Sequence, residues 1–163
     1  MALKYYLLLC LLLSTNLVLA KEHHNQYCNA RFAYCVDVPN GVIASSIEAQ
    51  NGDGKLFGVK DTDAVISIYG SLWPSVIDTS SEELLQERQQ TTCAENQCRI
   101  TYQVKKDNYY IASGYYLDDG KIFYQVYRVK NGEEHYLGFL YPKKDKVKMD
   151  KIVSKMTSSF LKY

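Results

Sequence analysis

The chain has 163 residues, with 19 Lys and Arg set against 18 Asp and Glu. Charges so nearly balanced give no overall electrostatic pull toward nucleic acid or an anionic membrane. The length suits one domain with a core of its own.

The first twenty residues, "MALKYYLLLCLLLSTNLVLA", have the pattern of an export signal. Lys4 supplies the positive start, Tyr5 to Leu13 form an apolar run, and "LVLA" provides small and apolar residues before a cut after Ala20. The run is short for a bilayer span, and polar Ser14, Thr15 and Asn16 follow it. No small-residue lipobox precedes Cys10, so a cleaved leader is expected and a stable membrane anchor is not. The expected domain is residues 21–163, exported to the periplasm.

Export decides how the remaining cysteines are read. Cys28, Cys35, Cys93 and Cys98 are an even set in an oxidising compartment, which predicts two disulfides with three connectivities open. Proximity in the chain favours Cys28–Cys35 and Cys93–Cys98. Bridged Cα atoms lie within about 7 Å, whereas seven residues of straight strand span roughly 23 Å. The chain must therefore turn between Cys28 and Cys35, around Arg31. A zinc site would need C-x-x-C-like spacing and reducing conditions, and neither is expected.

After the polar lead "KEHHNQ", Phe32, Tyr34, Val36 and Val38 alternate as one face of a strand, which Pro39-Asn40-Gly41 ends. A short apolar piece, Val42 to Ile47, leads to "NGDG". Strands are predicted over Lys55–Lys60 and Ala64–Tyr69, joined by Asp61-Thr62-Asp63, and "GSLWPSVIDT" reads as irregular. Ser80 or Ser81 can cap a helix near 81–90 with Leu84 and Leu85 inward and Glu82 and Glu83 in its first turn. Strands follow over Arg99–Lys105, Tyr109–Leu117, Lys121–Lys130 and His135–Tyr141, with "KDN", "DDG" and "NGEE" as turns. In the tail, Met149, Ile152, Val153, Met156 and Phe160 recur at helical steps, with lysines opposite. A basic amphipathic helix can serve a membrane or a partner; a surface helix packed on a sheet explains the same pattern.

The middle strands carry apolar residues on both faces, Ile111 and Leu117 on one and Ala112 and Gly114 on the other, so both faces want cover. The expected class is α+β, a mainly antiparallel sheet flanked by helices. "NARFAYCVDVP", "NGDGKLF", "DTDAVISIYG", "YYIASGYY" and the Tyr141-Pro142 and Ser159-Phe160 pairs stand in an order that resembles a group of exported bacterial proteins with a PsbP-like α/β/α sandwich. That pattern often has tryptophan where Tyr109 or Tyr110 stands here, and it lacks the four cysteines. The resemblance implies a periplasmic protein and supplies no catalytic residues.

"NGDG" tests a calcium reading. With Gly54 at position 6 of an EF-hand loop, Asn51 and Asp53 fall at positions 3 and 5, but Ala49 takes position 1 and Lys60 position 12. Two of four ligands are wrong, so a tight turn is expected. No other metal site or cofactor is expected; His23 and His24 lie in the polar lead. Ser113-Gly114 sits mid-strand and not in a nucleophile elbow, and His135 opens a strand far from it in sequence. A hydrolase using Ser113 or His135 is the alternative from the enzyme class; the site pattern does not favour it.

The compositional excess is tyrosine, fifteen in all. Tyrosine and tryptophan are rigid amphipathic anchors, enriched at interfaces, and most tyrosines also serve as cross-strand packing. Trp73 in its loop, with Tyr115 and Tyr116 at a strand end, are the candidate partner-binding residues. The expected function is non-enzymatic protein binding in the periplasm. Within that class a toxin-neutralising immunity protein of the type VI secretion kind fits, with a cell-envelope accessory or assembly factor as the alternative. Binding would rest on aromatic anchors, with modest salt dependence.

Overall fold

In the computed structural model, residues 25–49, 51–72, 80–94 and 97–163 are described. The chain opens with a hairpin of β1 (Asn25–Asn29) and β2 (Tyr34–Val38), turning through residues 30–33. Cys28 and Cys35 face each other across it, Cα atoms 4.1 Å apart and Sγ atoms at 2.11 Å. The polar-looking Asn25–Asn29 is thus a strand, recruited by its partner rather than by an apolar pattern of its own.

Three antiparallel strands follow: β3 (Val42–Glu48), β4 (Gly54–Val59) and β5 (Val65–Leu72). β5 runs through Gly70, Ser71 and Leu72, which the sequence reads as irregular; they pair with His135, Glu134 and Glu133. Helix α1 (Ser81–Thr91) has Ser80 as N-cap, its side chain accepting from the Glu83 N–H while the Glu83 carboxylate accepts from the Ser80 N–H. A meander completes the sheet with β6 (Cys98–Lys106), β7 (Tyr109–Tyr116), β8 (Ile122–Lys130) and β9 (Glu133–Tyr141). Cys93 and Cys98 bring their Sγ atoms to 2.08 Å at the start of β6. A single 3-10 turn, Lys143–Asp145, leads into helix α2 (Lys146–Phe160).

The large sheet has seven strands in the order β3-β4-β5-β9-β8-β7-β6, every neighbouring pair antiparallel. Because side chains alternate along each strand, the sheet offers two separate faces. One is sealed by α2 together with the β1–β2 hairpin. Met149, Ile152, Met156 and Phe160 of the helix and Phe32, Tyr34 and Val36 of the hairpin share one core with Phe57, Ile66, Ile68, Val126, Leu137 and Phe139 of the sheet. On the other face α1 sets Leu84 and Leu85 against Tyr110, Ala112, Phe123 and Val129. The fold is α+β, with a helix on each side of a mainly antiparallel sheet.

Candidate functional site

The "NGDG" turn proves to be a dock for the hairpin. Gly52 takes a positive φ of 74° and its N–H donates to Ala49 O at 2.9 Å. Arg31, at the hairpin tip, donates through Nη1 to Asp53 Oδ1 at 2.6 Å and to Asn51 O at 2.9 Å. The Asn29 side chain donates to Gly52 O at 2.9 Å and accepts from the Arg31 and Phe32 N–H groups. The Asp53 carboxylate is thus held by an arginine and by the Asn51 amide. Gly70 lies directly under Phe32, where a Cβ would overlap the aromatic ring.

Much of the tyrosine excess is packing. Tyr110, Tyr127, Tyr136 and Tyr69 are register partners across β7, β8, β9 and β5, forming one transverse row on the α1 face. Tyr69 stacks on Tyr136 at 4.6 Å between centroids, and Tyr136 meets Tyr127 at 5.0 Å. Arg88 from α1 lies 5.5 Å over the Tyr127 ring and forms a two-pronged ion pair with the buried Glu134, at 2.6 and 3.0 Å. Burial pushes the Tyr127 phenol up to about 12. Such a row is a cross-strand brace.

On the opposite face the described residues give incomplete cover. α2 packs on β2, β9 and β8, and beyond it β7 and β6 leave a cleft of about 990 Å³. The sheet wall presents Tyr102, Tyr115, Ile122 and Tyr124, with Ser113 and Thr101 between them. The helix wall presents Val153, Ser154, Thr157 and Ser158, while Lys143, Lys146 and Asp150 stand at one end. Tyr102 is 51% exposed, a large fraction for an aromatic side chain on a strand. Burial, then the nearby Asp150 carboxylate, raises the Tyr141 phenol to about 12; burial also raises Tyr124. These phenols stay protonated near neutral pH and act as hydrogen-bond donors. Lys146 is matched to Asp150 at 2.7 Å, and Lys143 makes no ion pair among the described residues. The cleft can therefore bind an apolar or aromatic group and orient it by hydroxyls and one free ammonium.

The expected residues divide. Tyr115 lines the cleft, whereas Tyr116 points to the opposite face and packs against Phe123 at 5.4 Å. Alternation along β7 separates them. Trp73, like residues 1–24 with the leader, His23 and His24, lies outside the described residues. Ser113 is in the cleft, but its hydroxyl donates to Phe123 O at 2.9 Å. His135 is 1% exposed, 5.0 Å from the Tyr34 ring, with Nε2 3.4 Å from Glu133 Oε2. Following the register through Tyr124 and Phe139, His135 lies two strands across and four residues along from Ser113, roughly 16 Å away. They do not form a nucleophile–base pair. Among the described residues no three His, Cys, Asp or Glu side chains gather as a metal cluster.

No family profile matches the chain, and no curated protein matches it. Among solved structures, the solution structure of cyanobacterial PsbP (CyanoP) from Synechocystis sp. PCC 6803 superposes with a TM-score of 0.58. That likeness covers 83% of this chain and 89% of the other, at 14% sequence identity. The fold is PsbP-like.

Against the PsbP-like scaffold, the residues that sequence reasoning missed are Tyr102, Lys143 and the α2 hydroxyls Ser154 and Ser158. They belong to three different segments, and only the antiparallel meander with α2 laid over part of it brings them together. Among the described residues no helix is long and apolar enough to cross a membrane.

Proposed function

We propose that this chain is a non-enzymatic binding domain of the cell envelope, exported to the periplasm, that acts by docking a protein partner in the cleft between α2 and β6–β8. The observation that carries this reading is the cleft itself. It is open, walled by tyrosines from four strands, edged with hydroxyls, and braced on rigid elements. Where proteins meet, a few side chains, often Tyr, Trp or Arg in well-packed pockets, carry most of the binding energy. The finer reading is a toxin-neutralising immunity protein of the type VI secretion kind, for which a small exported domain with one contact surface suffices.

A photo-crosslinking residue placed at Tyr115 in living cells tests the docking site. A discrete protein adduct is expected from position 115 and none from Gln89, an exposed position on α1 across the sheet. No adduct, or the same adduct from both positions, overturns the assignment. Protection of cells from the exported product of an adjacent gene then tests the immunity reading. An adduct with an envelope constituent and no protection would leave an accessory or assembly factor in its place.

A further inference from the structure

Charge is segregated in this molecule although the total is near zero. Residues 143–162 carry seven lysines and two aspartates, a net of +5, within a chain of formal net charge +1, so the remaining residues carry −4. The fold turns this stretch into a surface. Met149, Ile152, Met156 and Phe160 are buried, which leaves the lysines of α2 facing outward. Lys144 is matched to Asp63 at 2.8 Å and Lys146 to Asp150 at 2.7 Å. Lys143, Lys151 and Lys162 are exposed and make no ion pair among the described residues.

Lys143 stands at the mouth of the tyrosine cleft. Lys151 and Lys162 line a shallower groove on the other flank of α2, with Asp37 and Asp150. Ser154 and Ser158 border both depressions. The surface is therefore continuous from Tyr102 and Tyr115, across the low ridge of the two serines, to Lys162.

We propose that this surface docks an acidic protein segment, which sets an aromatic side chain in the cleft and its carboxylates on Lys143, Lys151 and Lys162. The inference rests on the reading that the cleft is the partner contact, and it names the chemistry of that partner. A bilayer fits less well, because the apolar side of α2 is committed to the core and a flat lipid surface cannot enter a concave site. A nucleic-acid backbone fits less well, because Asp37 and Asp150 interrupt the lysines along the path its phosphates would follow. Opposed charge on the partner also speeds encounter and sets register. The salt dependence of binding is then strong, although the net charge by itself argues for a weak one.

The test uses two blocked peptides as probes, one alternating Glu and Tyr and the other with Gln in place of each Glu. Titration followed by amide resonances should shift Tyr115 and Ser154, with the Glu peptide at least about fivefold tighter than the Gln peptide at low salt. The doubly substituted Lys143→Glu, Lys151→Glu protein should lose that preference while its thermal unfolding stays unchanged, since both side chains are exposed. Equal affinity for the two peptides, shifts confined to other surfaces, or no binding of the Glu peptide overturns the inference. Tighter binding to single-stranded oligothymidylate, or to vesicles only when they contain phosphatidylglycerol, overturns it in favour of those partners. If the crosslink from position 115 is found while these peptide results fail, the docking site stands and the acidic chemistry falls.

Discussion

At the scale of single residues, the contacts that matter most join the hairpin to the sheet. Gly70 accepts Phe32 over its bare Cα and donates its N–H to Asp53 O at 2.9 Å. Gly70→Ala should lower stability by about 1–3 kcal/mol, because neither the ring nor the paired strand can yield freely. Equilibrium urea unfolding checks this, and an unchanged midpoint would show that the hairpin sits more loosely than described. His135 makes a second prediction. Burial, with Arg128 and Lys130 nearby, pushes its pKa below the usual histidine value, and Glu133 only partly offsets this. Above the unfolded value of about 6.5 the residue is neutral in both states and costs nothing. As pH falls below it, the unfolded chain takes up the proton first, so stability declines until the lower folded pKa is passed. Unfolding measured at pH 7.5 and pH 5.5, both about one unit from the usual histidine pKa, should show the decline, and His135→Leu should flatten it relative to the parent. A decline of equal size in both proteins would assign the acid limb to other groups.

At the scale of elements, legibility followed how self-sufficient each element is. Helix α1 could be read because Ser80 and Glu83 cap it locally, and Ser80→Ala should cost about 1 kcal/mol by thermal unfolding. A cost near zero would mean that α1 is held by Leu84 and Leu85 alone. The meander from β6 to β9 was legible through alternation and its turn residues, and α2 through its apolar spacing. Three things were not. Asn25–Asn29 offers only Tyr27 and Cys28 as apolar cues and becomes a strand by pairing with Tyr34–Val38. Gly70 to Leu72 extends β5 although glycine and serine disguise it, since the glycine is there for Phe32. The cleft was out of reach except for Tyr115 and Ser113, because its walls come from β6, β7, β8, β9 and α2 at once. The outer strands β3 and β6 also share a device that the pattern alone hides. Each has a register irregularity, between Ala44 and Glu48 and between Ile100 and Tyr102. Bulged edges of this kind discourage pairing with another chain's strand.

At the scale of the whole molecule, the strand order β3-β4-β5-β9-β8-β7-β6 has a kinetic consequence. Two runs of chain neighbours, β3 to β5 and β6 to β9, can each assemble from short-range contacts, whereas the seam between them pairs Val65 with Leu140 and Leu72 with Glu133. Closing that long loop costs entropy before its contacts repay it, so the seam should form after the β6–β9 run. Ile68→Val at the seam, costing about 1 kcal/mol, should then act mainly by speeding unfolding, while Val126→Ala within the later run should slow folding. Stopped-flow chevrons distinguish the two, and an equal slowing of folding by both would mean that the seam forms together with the run. Until the seam closes, β5 and β9 each present a bare edge, and both are apolar, "VISIYG" and "HYLGFLY". The central strand of the finished sheet, β9, and its neighbour β5 are thus the ones most open to aggregation while the chain is still folding.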